Sequence, residues 1–144
     1  MGHSVIKVNS KFTLLLAFEV RNEVFVIGQS VPKHIERDAH ETTAHHFLAL
    51  HEGRAIGACR WRETEKGVKL ERFAVLKQFR GCGVGTDLLE KVLNNVKSIL
   101  GNGAYLYLHA QIEAKGLYEK QGFVAIDPVF EEAGILHQAM YKYG

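Results

Sequence analysis

The segment Arg80-Gly81-Cys82-Gly83-Val84-Gly85 puts three glycines into six residues, between an apolar strand pattern and a long amphipathic pattern. Glycine tolerates positive φ and lets a backbone approach a ligand with no Cβ in the way. A strand that becomes a helix through such a turn can direct several unpaired backbone N–H groups into one concavity. The helix N-terminus adds favourable potential for an anion there, and Arg80 adds a charge-assisted contact to a phosphate. Two readings stand side by side: a pyrophosphate cradle, or a tight turn that uses glycine for geometry alone. A Walker A loop is excluded, because its Gly-Lys-Ser/Thr ending is missing. A dinucleotide fingerprint fits poorly, because the spacing is Gly-x-Gly-x-Gly and the preceding strands are hairpin-linked.

The chain around this turn has 144 residues, enough for one domain (1–144) with a real core. A net charge of +2 without a basic stripe argues against a nucleic-acid partner. Cys59 and Cys82 cannot make a disulfide framework for a domain of this size, so a reducing, cytoplasmic setting is expected. The apolar run Phe12 to Phe18 is followed at once by Glu19, Arg21 and Glu23 and lacks a cleavage signal. No stretch approaches the ~20 apolar residues that span a bilayer, so no membrane partner is expected.

Periodicity supplies the frame. Val5 to Val8 reads as a strand. Ser10 caps a helix with Leu14, Leu15, Phe18, Phe25 and Val26 on its apolar side, ending before Gly28. Residues 29–43 read as a loop or short helical turn. Phe47 to Leu50, Ala55 to Trp61 and Val68 to Val75 are strands joined by turns at Glu52-Gly53 and Lys66-Gly67, which implies an antiparallel meander. Leu88, Leu89, Val92, Leu93, Val96, Ile99 and Leu100 mark a helix that Gly101 to Gly103 terminates. Ala104 to Ala110 follows as a strand, Ile112 to Gln121 as a helix stopped by Gly122, and Phe123 to Ile126 and Ala133 to Tyr141 as one or two last strands. The fold class is α/β, with a mixed, largely antiparallel central sheet, helices on both faces and a strand–helix–strand crossover from Val75 to Ala104.

The order of these motifs resembles the GNAT superfamily of acyl-CoA-dependent N-acetyltransferases over nearly the whole chain. Leu70-Glu71-Arg72-Phe73-Ala74-Val75 with Gln78-x-Arg80-Gly81-x-Gly83-x-Gly85 is similar to that family's central strand and CoA-pyrophosphate loop. Gln111-x-x-Ala114-x-x-Leu117-Tyr118-Glu119-x-x-Gly122-Phe123 resembles its later helix and Tyr-x-x-x-Gly-Phe signature, with Gln111 standing where the family usually has Asn. Val20-Arg21-x-x-Val24-Phe25-Val26, Gln29-x-Val31-Pro32, Glu36-x-Asp38, Ala44-x-His46, Glu131, Ala133-Gly134-Ile135, His137 and Met140 resemble the small bacterial ElaA/YjcF-like branch. Gly28 departs from it, since related members commonly carry an acidic residue there.

The resemblance implies a GNAT-like sheet whose parallel strands Lys69 to Val75 and Ala104 to Ala110 splay apart. It implies acetyl-CoA as cosubstrate, with the backbone of Phe73, Ala74 and Val75 on the pantetheine arm and Gly81, Cys82, Gly83, Val84 and Gly85 on the pyrophosphate. Arg80, Gln111 and Tyr118 would add cofactor contacts. The implied reaction is direct attack by a primary amine, of a small molecule or an exposed protein amine, on the acetyl carbonyl. Tyr118 holds the position of the acid that protonates the departing thiolate; its alternative is packing alone. Glu71 is the first choice for the base and His109 the competitor, with a water relay also open. A salt bridge from Glu71 to Arg60, Arg62 or Arg72 is the structural alternative, on a face that regular alternation assigns to Glu71, Phe73 and Val75. Glu36 and Asp38 could attract an ammonium group. His34, His40, His45 and His46 lack metal-ligand spacing, so no metal is expected. Cys82 reads as a small residue beside CoA; Arg60-Trp61-Arg62 is too short to make a nucleic-acid stacking platform, and Trp61 reads as packing or acceptor wall. A CoA-binding sensor without turnover, a protein for another diphosphate, and a homodimer are the further possibilities.

Overall fold

The structure, a computed structural model, describes residues 2–144. Strands β1 (Ser4–Lys7), β2 (His45–His51), β3 (Arg54–Glu63), β4 (Val68–Val75), β5 (Tyr105–Gln111), β6 (Val124–Glu132) and β7 (Ile135–Tyr143) form one sheet in the order β1-β2-β3-β4-β5-β7-β6. Every neighbouring pair is antiparallel except β4 and β5. The meander and the crossover are therefore both present. Helix α3 (Val84–Leu100) makes the crossover and packs on one sheet face; α1 (Lys11–Arg21) contacts β2, β3 and β4. Among the described residues, no helix is long and apolar enough to cross a membrane.

Local chemistry sets these elements. Ser10 caps α1 by accepting from the Thr13 amide at 3.1 Å, and Thr13 Oγ1 accepts from the Ser10 amide in return. The buried side of α1 runs through Ala17, Phe18, Val20 and Arg21, which leaves Leu15 exposed where the spacing predicted it inside. The same chain direction continues beyond α1 as a π-helical segment, Asn22–Ile27, which buries Val24 and Phe25. The polar stretch that follows holds one short helix, α2 (Lys33–Glu36). In α3 the buried residues are Val84, Leu88, Leu89, Val92 and Val96, whereas Ile99 and Leu100 stay exposed in the final turn before Gly101. The helix expected over 112–121 divides into a 3₁₀ turn, Ile112–Ala114, and α4 (Lys115–Glu119). Ala133 and Gly134, expected to begin the last strand, instead form the β6–β7 turn with φ of 52° and 78°. Paired positive φ values match the right-handed twist of the flanking strands.

One irregularity moves the site. Arg60 pairs with Glu71 and Ala58 with Ala74, so β4 uses three residue steps where β3 uses two. The extra residue is a bulge, marked by the left-handed φ of 61° at Arg72. Regular alternation assigned Glu71, Phe73 and Val75 to one face; the bulge breaks that pattern. Glu71 shares its face with Ala74, while Val75, opposite Gly57, lies on the face of Leu70 and Trp61. Trp61 is fully buried there and donates from Nε1 to Asn95 of α3 at 3.0 Å, so it packs the core and presents no face to solvent.

Helix α3 sits directly on β3 at Gly57. A Cβ at that position would lie 3.0 Å from Val84 Cγ1 and 3.1 Å from Leu88 Cδ1. Gly57→Val should therefore lift the start of α3 and destabilise the protein by about 1–3 kcal/mol, measured as a lowered midpoint in urea denaturation.

Candidate active site

The parallel ladder between β4 and β5 is short. It holds the pairs Val68–Leu106, Lys69–Tyr107 and Leu70–Leu108, and then the strands part. A cavity of about 670 Å³ occupies the opening. Arg80, Gly85, Leu117 and Tyr118 line one region of it, and Arg62, Lys69, His109 and Glu132 another. The splay expected from the sequence is thus present. It leaves the β5-facing backbone edge of Phe73, Ala74 and Val75 without a strand partner.

At the glycine turn, Gly81 and Gly83 have φ of +80° and +85°, and a Cβ at either would meet no atom within 4 Å. Glycine is needed there for backbone conformation, and the space beyond it is open. Gly83 is the N-cap of α3 and supplies no side-chain hydrogen bond. The amides of Cys82 to Gly85 have no acceptor among the described residues, which is the state of an anion-binding helix start. The turn fits a pyrophosphate on these grounds. Cys82 is exposed and unpaired. Arg80 is exposed but donates from Nε to the Val75 carbonyl at 3.0 Å, tying the turn to the end of β4. Gln111 exchanges two hydrogen bonds with Gln29, at 2.9 and 3.0 Å, across the cavity wall.

Tyr118, on α4, packs edge-on against Phe73 and Phe123 and is only 5% exposed. Burial pushes its phenol well above the usual range, with a smaller contribution from Cys59. Its hydroxyl has no partner among the described residues, so it stays protonated with its hydrogen uncommitted.

Glu71 takes the salt-bridge alternative. Arg60 donates to its Oε2 from Nε at 2.7 Å and again from Nη2, and Arg62 Nε donates to the same carboxylate at 3.2 and 3.3 Å. Lys69 Nζ lies 3.6 Å away; Arg72 turns elsewhere. Burial raises the Glu71 pKa, but Arg60, Lys69 and Arg62 outweigh it and hold the carboxyl below its ordinary value. A carboxylate stabilised in its ionised form is a poor proton acceptor. Glu36 and Asp38 are likewise taken: Arg21 holds Glu36 at 2.7 Å, and Arg60 holds Asp38 at 2.7 and 3.0 Å. Neither is left to attract an ammonium group.

His109 is differently placed. It follows Tyr107 by two residues on β5, so it shares the sheet face of Lys69 and Glu71. Its Nδ1 is 3.2 Å from Glu132 Oε2, and its ring meets Phe130 edge-on. With Nδ1–H donating to Glu132, Nε2 is the ring nitrogen left with a free lone pair, and His109 lines the cavity. The hydrogen bond from His109 keeps the Glu132 carboxyl below its ordinary value. His137 stands alongside, stacked on Phe130 and donating from Nδ1 to the Ile135 carbonyl at 2.7 Å. The sequence reading missed Glu132, Gln29 and Lys69 as site residues. Glu132 is brought to His109 only by β5–β7–β6 pairing, which leaves no local signal.

The four N-terminal histidines do not converge. His34 is exposed, His45 stacks on Trp61 at 4.0 Å, and His46, on the opposite strand face, contacts the Glu41 carbonyl at 2.8 Å. Among the described residues no group of three or more His, Cys, Asp or Glu side chains is placed to hold a metal ion.

Residues 11–143 match the acetyltransferase (GNAT) domain family. The chain is 39% identical to the uncharacterized N-acetyltransferase YjcF of Bacillus subtilis, over 88% of this chain and 89% of that one. It is 28% identical to the protein ElaA of Escherichia coli over 99% and 93% of the two chains. The crystal structure of Escherichia coli ElaA superposes with a TM-score of 0.86 at 25% identity, covering 99% of both chains. An acyl-CoA N-acyltransferase from Pseudomonas aeruginosa superposes with a TM-score of 0.84 at 26% identity, covering 98% of both. The chain belongs to the GNAT acetyltransferase family.

The ion network carries a pH dependence. Burial works against ionisation of Asp38 and Glu41, but Arg60 and the His40 amide hold Asp38 far below the carboxylate range, and Arg21 and Arg60 hold Glu41 at about 2. A carboxyl whose folded pKa lies below its unfolded value stabilises the fold above the unfolded value, and that contribution is lost as the pH falls. The urea midpoint should accordingly drop between about pH 4.5 and 2. Glu41→Gln should lower the midpoint at neutral pH and flatten this acid dependence.

Proposed function

We propose that the protein transfers an acetyl group from acetyl-CoA to a primary amine held in the same cavity. The observation that carries this reading is the opening between β4 and β5. Arg80 and Gly85 bring the glycine turn, with its unpaired amides, to the edge of this opening, whose walls also hold a buried, protonated Tyr118 and a histidine oriented by a carboxylate.

The backbone N–H groups of Cys82 to Gly85 would hold the pyrophosphate of CoA, with Arg80 beside them. The unpaired edge of Phe73 to Val75 offers main-chain groups to the pantetheine arm, and Gln111 borders the same passage. Acetyl-CoA supplies an acyl thioester, whose C–S bond breaks as the C–N bond to the amine forms. His109 is the base: its Nε2 takes the proton that the amine must lose, and Glu132 stabilises the imidazolium that results. Tyr118 gives its hydroxyl proton to the sulfur as the thiol leaves. Both groups return to their starting states by exchange with solvent. Glu71 stays ionised throughout, as the counter-charge to Arg60 and Arg62.

Titration calorimetry with acetyl-CoA and CoA is the first test, and binding of neither would overturn the reading. Tyr118→Phe should lower kcat about 100-fold or more while leaving the Kd for acetyl-CoA within about threefold; undiminished turnover would remove it as the acid. His109→Gln should lower kcat about 100-fold or more while leaving the Kd for acetyl-CoA within about threefold, and undiminished turnover would remove it as the base. Glu132→Gln should lower kcat less, because it orients the imidazole without taking the proton.

A further inference from the structure

Arg62 and Lys69 are cations on the cavity wall whose hydrogen-bonding capacity is left over. They pair with each other across the β3–β4 ladder, on the sheet face that also carries Glu71 and His109. Arg62 engages Glu71 through Nε alone, and among the described residues its Nη1 and Nη2 have no partner. Lys69 has one ionic contact, 3.6 Å from Glu71. Both side chains keep about a fifth of their surface open, at 20% and 21%. Arg21 and Arg60, by contrast, are buried and commit all their nitrogens to Glu36, Glu41, Asp38 and Glu71.

The charge inventory points the same way. Arg21, Arg60, Arg62, Lys69 and Arg72 face Glu36, Asp38, Glu41 and Glu71, so the linked cluster carries one positive charge in excess. Arg72, at 26% exposed, spends Nε and Nη2 on the Glu36 and Ile35 carbonyls and on Asp38, so the partly open cations with most donors left over are Arg62 and Lys69. Glu132, about half exposed, stands on the far side of His109. Read across the strand order, the cavity wall is positive over β3 and β4, has His109 on β5, and is negative over β6.

We propose that the amine acceptor also carries a carboxylate close to its amino group, which makes it an amino acid in chemical class. Arg62 and Lys69 bind the carboxylate, and the amino group lies at His109 Nε2, with Glu132 behind the ring on Nδ1. The inference rests on the acetyl-transfer reading above. Two neighbouring Nη groups present the planar fork that a carboxylate accepts in bidentate fashion. An amine lacking the carboxylate would cover this fork without replacing its water, and such uncompensated desolvation disfavours the complex.

The test compares common amino acids with the amines left when the α-carboxylate is removed, using acetyl-CoA and following release of the CoA thiol. Calorimetry measures binding of the same compounds to the protein saturated with CoA. At least one amino acid should bind, and should exceed its decarboxylated partner in kcat/KM by about 100-fold or more. Arg62→Gln and Lys69→Gln should each narrow that ratio about tenfold, through KM, with the Kd for acetyl-CoA unchanged; Arg62→Lys should restore part of it. Lys69→Gln keeps the test usable if Arg62→Gln folds poorly, because Lys69 contributes a single long ionic contact. Equal use of both partners, or a preference for phosphoethanolamine over every amino acid, overturns the inference. So does intact acetyl-CoA binding with no amino acid bound or acetylated, an outcome that leaves the transferase reading standing. Loss of acetyl-CoA binding by the wild-type protein would overturn the transferase reading itself.

Discussion

Arg60 has no exposed surface, yet it meets three carboxylates from two parts of the chain: Asp38 and Glu41 before β2, and Glu71 on β4. An unpaired guanidinium at that depth would carry a severe desolvation penalty, so its partners must stay in place whenever the protein is folded. Arg21 extends the arrangement by joining Glu41 to Glu36, which fastens α1 to the same cluster. A polar stretch that would otherwise run free over the surface is thereby pinned to the middle of the sheet. One wall of the cavity is made of that stretch. The value of the network lies in this placement, since well-packed apolar groups of equal volume often stabilise a fold as much or more.

The two regions of the cavity are built on different physical terms. At the glycine turn the unpaired groups are main-chain amides, whose positions follow from φ values and the seating of α3 at Gly57. Side-chain substitutions there leave the donors in place unless they alter the backbone. Around His109 the working groups are side chains delivered by β3, β4, β5, β6 and β7, and their charges offset one another. A single change of charge in this region alters its preference without touching the other. Such a division suits a scaffold that keeps one ligand constant and varies the second.

How far the sequence could be read follows from this contrast. The glycine turn and the β4–α3–β5 crossover are local in the chain and legible from spacing, and Tyr118 is legible through its place in the family's Tyr-x-x-x-Gly-Phe signature. Leu88 to Val96 announced their helix because a period of 3.6 is preserved over several turns. Glu132 was invisible because nothing near it in sequence refers to His109; two intervening strand pairings bring them together. Glu71 looked like a base because its arginine partners at 60 and 62 could be named but not ranked from sequence. The bulge at Arg72 had no signature at all, since a left-handed conformation is usually flagged by glycine or asparagine.

That left-handed arginine has a consequence for how the chain can change. Its side chain reaches the Glu36 carbonyl at 3.2 Å and Asp38 at 3.3 Å, so the residue that strains the backbone also secures the neighbouring wall. The inserted residue reverses the inside–outside phase of β4 from that point on. Val75 faces α3 and Ala74 faces the charged side, and regular alternation through the same residues would exchange them. Drawing the bulge out into regular strand with every residue kept would send Val75 into the ionic cluster, whereas deleting Arg72 would keep Val75 on the α3 face and forfeit only the hold on residues 36–38. The strand's polarity pattern and the shape of the cleft are inherited together, as one unit of sequence.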